Sequence, residues 1–264
     1  MTTSKRSLNL ICFSPTGTSR SVLLSIAEGF NPTSIREWDM TLPDSAAQDL
    51  EEFGQDLTII GTPVYAGRVP KTAVERLKRI HANGTPAVLV ATYGNRAFED
   101  ALLELQDITV KQGFSPVAGA AFIGEHSFSS EAMPIAQGRP DAQDLTKAAA
   151  FGKALRVKAD EGSLGATDLL LPGNSPHREG WNKPPMSPVT NKDTCEKCGA
   201  CAKVCPTGAI DENGHTDATL CIVCLACVRA CPTNARTITE PMILGFAKKL
   251  HDNCSTRREP ELFW

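Results

Sequence analysis

With 264 residues, 41% of them hydrophobic and 22% charged, the chain has the composition of an ordinary globular protein with one large domain or two modest ones. A formal net charge of -3 gives no footing for nucleic-acid binding. No apolar run approaches the roughly 20 residues that cross a bilayer. The six-residue run at 8–13 is too short for a secretory signal core and reads as a buried first strand. Ten cysteines invite a disulfide reading, yet eight lie between positions 195 and 231 and only Cys12 falls in the first 190 residues. A secreted disulfide scaffold does not segregate its cysteines in this way. A metal centre in a reducing compartment does, so the expected location is the cytoplasm.

In chain order, apolar runs at 8–13, 56–64, 86–93 and 115–124 predict buried strands, and 33–38 predicts a weaker edge strand. Helical stretches fall between and after them, at 19–29, 44–53, 71–82, 97–111 and 141–159. This alternation predicts an α/β fold over 1–160, a doubly wound five-stranded parallel sheet covered on both faces. Ligands of such sheets bind beyond the carboxyl ends of the strands, which directs attention to the loops after the first, third and fourth strands. Residues 161–190 are rich in proline and glycine and read as a linker. Residues 191–237 form a second, small α+β domain built on an internal duplication, and 238–264 are a tail to which the sequence assigns no role.

The duplicated halves, CEKCGACAKVCPTGAI and CIVCLACVRACPTNAR, are offset by 26 positions, and each reads C-x2-C-x2-C-x3-C-P. Three cysteines at intervals of three curl around one site, while the fourth leaves on a short helix and reaches the other site. One site is therefore expected to use Cys195, Cys198, Cys201 and Cys231, and the other Cys221, Cys224, Cys227 and Cys205. Structural zinc needs paired C-x2-C units rather than this order, and the small apolar residues between the ligands suit a dry cluster pocket. The segment resembles the bacterial dicluster ferredoxins, which bind two 4Fe–4S clusters. Outside the motifs, Cys12 reads as a packing residue and Cys254 as a free thiol.

The first strand runs into Ser14-Pro15-Thr16-Gly17-Thr18-Ser19 at the start of a helix. Free amides and the positive dipole end there suit a phosphate, and a Ser/Thr-rich helix cap explains the same hydroxyls equally well. The nucleotide fingerprints G-x4-G-K-S/T and G-x-G-x-x-G are absent. The third strand ends in Pro63-Val64-Tyr65-Ala66-Gly67-Arg68 and the fourth in Thr92-Tyr93-Gly94-Asn95-Arg96, each placing an aromatic and a glycine beyond the sheet. His126 follows the fifth strand at the same edge, either as a proton donor or as a hydrogen-bonded structural residue.

These loops are similar to those of flavodoxins. The resemblance implies FMN, with the phosphate on Ser14, Thr16, Gly17, Thr18 and Ser19. It places the isoalloxazine ring between Pro63, Val64, Tyr65, Ala66 and Gly67 on one side and Thr92, Tyr93, Gly94 and Asn95 on the other. Tyr65 is the expected stacking residue, and Ala66 or Gly67 the expected neighbour of the flavin N5. Pro15 departs from the pattern because it lacks an amide proton. The loop after the fourth strand is also not acidic, and Arg68 and Arg96 either face the ring or are solvated. The two resemblances together match flavodoxin–ferredoxin fusion proteins. They imply an iron–sulfur flavoprotein relaying electrons between two 4Fe–4S clusters and FMN, with a small acceptor reduced at the flavin face. The alternative is a pure carrier docking between redox proteins. An open flavin edge favours the carrier, and a pocket closed by linker residues such as Trp181 favours the reductase. Redox proteins are the expected partners, and the sequence leaves a homodimer open.

Overall fold

The computed structural model describes residues 6–44, 53–165, 169–180 and 182–264. Trp181 and nearly all of the helix expected at 44–53 lie outside the described residues. The N-terminal part runs β1 (Ser7–Cys12), α1 (Thr18–Phe30), β2 (Ser34–Asp39), β3 (Leu57–Pro63), α2 (Lys71–Leu77), β4 (Thr85–Tyr93), α3 (Ala101–Lys111), β5 (Phe114–Ile123) and α4 (Ala142–Asp160). Strands β2, β1, β3, β4 and β5 lie side by side in that order, every neighbouring pair parallel. This 2-1-3-4-5 order is that of the flavodoxin-like doubly wound fold.

The strands read as continuous apolar runs because the sheet is buried on both faces. Along β1 and its exit, Leu8, Leu10 and Cys12 face one core with α1 and α4, whereas Ile11 and Phe13 face the other with α2 and α3. Cys12 is thus the packing residue expected, at 1% exposure. The edge strand β2 is largely exposed and mostly polar, with Ser34, Arg36, Glu37 and Asp39 among its six residues. Helix α4 begins at a capping box in which Asp141 and Asp144 each bind the other's backbone amide. Helices α1 and α4 cross in direct backbone contact. A Cβ at Gly152 would fall 1.9 Å from the Ile26 carbonyl oxygen, and one at Gly29 would fall 1.8 Å from that of Ala149.

The C-terminal part contains β6 (Val189–Thr190), α5 (Ala200–Lys203), α6 (Ala226–Arg229), β7 (Arg236–Thr237), α7 (Pro241–Asn253) and β8 (Glu261–Phe263). Strands β6 and β7 pair antiparallel and bracket the duplicated region. The expected five-stranded sheet gains a sixth strand, because β8 returns from the tail and pairs antiparallel with the free edge of β5, Gly119 opposite Phe263. Trp264 then packs on Phe151 with ring centroids 4.9 Å apart. The tail left unassigned by the sequence is therefore an edge cover, which removes an otherwise unpaired row of backbone groups.

The segment read as a linker is fixed along α3 where it is described. The fully buried Asp100 carboxylate accepts from the Asn174 amide at 2.9 Å, the Asn174 side chain at 2.8 Å and the Arg178 amide at 2.6 Å. Leu169 and Leu171 join the core on that face.

The helix crossing gives a direct test. Gly152→Ala is expected to lower stability by about 1–3 kcal/mol, because neither backbone can retreat without moving its helix. A lowered urea midpoint at unchanged m checks this, and an unchanged midpoint would show that α1 and α4 do not touch at this point.

Candidate redox site

The two cysteine loops share a backbone device. Positive φ occurs at Lys197, Gly199 and Gly208 in the first half and at the matching Val223, Leu225 and Asn234 in the second. Left-handed residues at repeated positions turn successive amides inward and make an anion-binding concavity. For Lys197, Val223, Leu225 and Asn234 this conformation is strained and persists because the surroundings dictate it.

Cys195, Cys198, Cys201 and Cys231 line one small cavity, with Lys197, Gly199 and Arg236 among its other walls. Cys221, Cys224, Cys227 and Cys205 line a second, with Ile210, Ile222 and Leu225. These are the two foursomes that the motif spacing groups together. Among the described residues no three such side chains close on a point as they would around a single ion. Donors already aim at the sulfurs: the Ala209 amide reaches Cys205 Sγ at 3.3 Å and the Val223 amide reaches Cys221 Sγ at 3.4 Å. Thr207 and Thr233 lie beside Cys205 and Cys231, at 3.7 and 3.8 Å. Four thiols around a small cavity walled by amides and alkyl groups fit an iron–sulfur cluster.

The cavities differ in exposure. Cys205, Cys224 and Cys227 are buried, while Cys198 is exposed and Cys195, Cys201 and Cys231 are half-buried. Burial, with the neighbouring thiols Cys227, Cys221 and Cys205 adding to it, pushes the Cys224 thiol up to about 12. Burial also raises Cys231, but the Arg236, Thr233 and Ala235 amides and the Thr233 hydroxyl outweigh it and hold that thiol below its usual range. A bound metal overrides both effects, since thiolate is the ligand form.

At the carboxyl edge of the sheet, Gly17 takes φ 80 immediately before α1 and has no side chain with which to cap it. Of the first-turn amides, that of Arg20 is taken by Ser14 Oγ, and those of Thr18 and Ser19 are left for a ligand. Buried hydroxyls of Ser19, Thr62 and Thr92, at the start of α1 and the ends of β3 and β4, have no hydrogen-bond partner. Uncapped amides with unsatisfied hydroxyls fit a phosphate-bearing ligand such as FMN. Within the loop, the Arg20 amide donates to Ser14 Oγ at 3.1 Å and the Thr16 and Thr18 hydroxyls lie 3.3 Å apart.

After β3, Tyr65 and Arg68 exchange both backbone hydrogen bonds around Ala66 and Gly67, which have φ 53 and 78. Positive φ at both central residues makes this a type I′ turn. Gly67 is required twice over, because a Cβ would lie 1.8 Å from Glu99 Oε2. The Tyr65 phenol is held well above its usual range by burial and by Cys224, with Arg229 opposing.

Further contacts join the two parts. Ile222 and Val64 pack against the same core face of the sheet, and Phe128 packs with Val223, Leu225 and Cys221. Arg229 donates to the His126 carbonyl at 3.2 Å and lies 3.8 Å from Glu125. Arg76, buried on α2, donates to the Thr41 carbonyl at 2.6 Å and the Pro206 carbonyl at 2.5 Å.

Several loop residues serve roles other than those their motifs suggest. Tyr93 is 2% exposed and packs edge-on against Phe98, so its ring belongs to the core. Asn95 binds the tail, donating to the Cys254 and Thr256 carbonyls at 2.6 and 2.9 Å and accepting from the Arg258 amide. Cys254 is half-buried at this junction. Arg68 makes a two-pronged pair with Glu104, and Arg96 one with Glu99. Gly94 lets His126 approach: a Cβ there would fall 2.3 Å from the imidazole Cδ2. His126 Nδ1 accepts from the Phe128 amide at 3.0 Å, so the neutral ring carries its proton on Nε2. Arg76, Arg229 and Arg236 are the contributors that sequence reasoning did not single out. The only signal for Arg236 was its departure from the repeat.

The model of the 4Fe-4S binding domain matches twice, at residues 188–211 and 215–237. No curated protein matches the chain by sequence. Among solved structures, a flavodoxin from the domain Archaea is 10% identical and overlays 59% of this chain and 99% of its own at TM-score 0.36. Flavodoxin 2 from Bacillus cereus is 17% identical, with 58% and 99% covered at TM-score 0.40. A Fusobacterium nucleatum flavodoxin bound to flavin mononucleotide is 14% identical, with 60% and 98% covered at TM-score 0.38. The order of the strands, rather than these overlays, defines the N-terminal fold. The chain joins a flavodoxin-like α/β part to a ferredoxin-type 4Fe–4S region, an architecture of electron transfer.

Burial, reinforced by Arg229 and Arg96, holds His126 down at about 4. An unfolded histidine binds its proton near pH 6.5, so the unfolded state takes up more protons between these values. Stability therefore falls as pH drops from about 6.5 towards about 4. Nitrogen-15 NMR is expected to show His126 neutral with the proton on Nε2 from pH 8 to about pH 5. A titration midpoint at pH 6 or above would refute the buried neutral ring.

Proposed function

We propose that the chain is an iron–sulfur flavoprotein that relays electrons between two 4Fe–4S clusters and FMN. The observation that carries this reading is the junction of the two parts: Ile222, which lines the cavity of Cys221, Cys224, Cys227 and Cys205, packs against the same core as Val64 of the candidate flavin loop. On this reading residues 1–160 bind the flavin, 191–237 bind the clusters, 161–190 link them and 238–264 form the tail. When bound, the clusters supply single-electron exchange and FMN supplies one- or two-electron storage.

The protein's own groups hold, orient and shield. Cys195, Cys198, Cys201 and Cys231 hold one cluster, and Cys221, Cys224, Cys227 and Cys205 hold the other. The start of α1, with Ser14, Thr16, Thr18 and Ser19, binds the phosphate. Tyr65 with Ala66 and Gly67 flanks the ring, and His126 presents Nε2–H at the same edge. The exposed side of the first cavity, at Cys198, suits docking of a protein redox partner in the cytoplasm. Linker residue Arg178 closes on the loops after β3 and β4: its carbonyl accepts from Arg68 and its side chain pairs with Glu99. This closure favours reduction of a small acceptor at the flavin over a pure carrier.

Anaerobically purified protein is expected to hold about eight irons, about eight sulfides and about one FMN per chain. By EPR, Cys205→Ser is expected to lose the signal that Cys221→Ser loses, and Cys231→Ser the signal that Cys195→Ser loses. Zinc in place of iron would sink the cluster assignment. Loss of one and the same signal by Cys205→Ser and Cys195→Ser would sink the exchange of the fourth cysteines.

A further inference from the structure

The internal duplication differs in charge at Glu196/Ile222, Lys197/Val223 and Ile210/Arg236, and only in the last pair is the charged member buried. Under the offset that places Cys205 on Cys231, Ile210 corresponds to Arg236. Ile210 lines the cavity of Cys205, Cys221, Cys224 and Cys227, and Arg236 lines that of Cys195, Cys198, Cys201 and Cys231. One of two equivalent walls is thus an alkyl chain and the other a guanidinium.

Arg236 is 2% exposed and among the largest fully buried side chains. Its Nη1 donates to Thr190 Oγ1 at 2.8 Å and to the Gly214 carbonyl at 2.7 Å. Its Nη2 donates to Thr216 Oγ1 at 2.7 Å, to the Pro188 carbonyl at 3.5 Å and to Cys227 Sγ at 3.5 Å. The Nε is buried without a partner. One residue therefore reaches both foursomes: its side chain donates to Cys227 Sγ, and it forms part of the wall around Cys195, Cys198, Cys201 and Cys231.

These side-chain partners are neutral oxygens and a sulfur, with no carboxylate among them. Burying a guanidinium among neutral groups costs several kcal/mol. The cost is offset once the neighbouring sulfurs are thiolates, as metal binding makes them. The arginine is thus placed for the loaded protein.

We propose that Arg236 is a potential-setting residue, a fixed buried cation between the two cysteine cavities that raises the reduction potential of the clusters held there. The inference rests on the iron–sulfur reading above. Each reduction adds one electron from an external reductant to a centre already carrying thiolate charge. A nearby cation and an N–H···S hydrogen bond both favour that more negative reduced form.

The test is an anaerobic dithionite titration of the full-length holoprotein, followed by EPR, with iron and sulfide counted first. Arg236→Gln is expected to keep its iron and to lower at least one midpoint. The reduced-to-oxidised ratio at a fixed potential should fall tenfold or more, equivalent to about 59 mV for a one-electron couple. Arg236→Lys, which keeps the charge but not the forked geometry, is expected to fall by less. Should Arg236→Gln lose its clusters, the lysine variant decides: a lowered midpoint supports the proposal. Native midpoints in the iron-replete variants would overturn it and leave Arg236 a packing residue. A wild-type protein without about eight irons would instead overturn the cluster reading itself.

Discussion

The fourth cysteine of each motif lines the other motif's cavity, and the rest of the C-terminal part follows from that exchange. Neither half can complete its own donor set, so both must order together around the two spaces they share. The left-handed residues at matching positions of the two loops curl the backbone so that amides face the sulfurs. The β6–β7 pair closes the duplicated region at its ends and places Arg236 opposite Thr190. Sequence symmetry thus becomes near-symmetric geometry, and Ile210 against Arg236 is where a buried charge breaks the symmetry.

A relay also needs its two ends held at a fixed separation, and three attachments provide this. Asp100 fixes residues 174–178 along α3. Arg76 and Arg229 bind backbone carbonyls across the junction. The tail leaves α7, is held by Asn95 and ends as a strand on β5. Behind it, the buried Arg139 guanidinium pairs with Asp144 and also donates to the Arg258 carbonyl at 3.1 Å. These contacts make the junction part of the folded core. Val64 of the loop after β3 and Ile222 of the second cysteine loop meet there on one core.

The sheet was legible in the sequence because burial on both faces forces runs such as Leu8–Phe13 to be apolar, with the one exception, Asn9, paired to Thr58. The cysteine grouping was legible because intervals of three and four residues leave few ways to share eight sulfurs. What escaped depends on partners distant in the chain. A three-residue strand at Glu261–Phe263 has no periodicity to detect, and only the free edge of β5 makes it a strand. Asn95 and Tyr93 stand in loops that resemble a flavin clamp, yet Asn95 is drawn away by carbonyls of the tail and Tyr93 by core packing. The proline- and glycine-rich stretch reads as free linker because its anchor, Asp100, lies more than 70 residues upstream. Arg68 and Arg96 looked like candidates for the ring until Glu104 and Glu99 were seen to hold them.

The central claim is that flavin and clusters exchange electrons within one molecule. Rapid mixing of oxidised holoprotein with a substoichiometric reductant, followed at separate flavin and cluster wavelengths over a range of protein concentrations, tests it directly. The account predicts that electrons redistribute between the two chromophores with a rate constant independent of protein concentration. A rate that rises in proportion to concentration, or the absence of redistribution in protein carrying both cofactors, would contradict it.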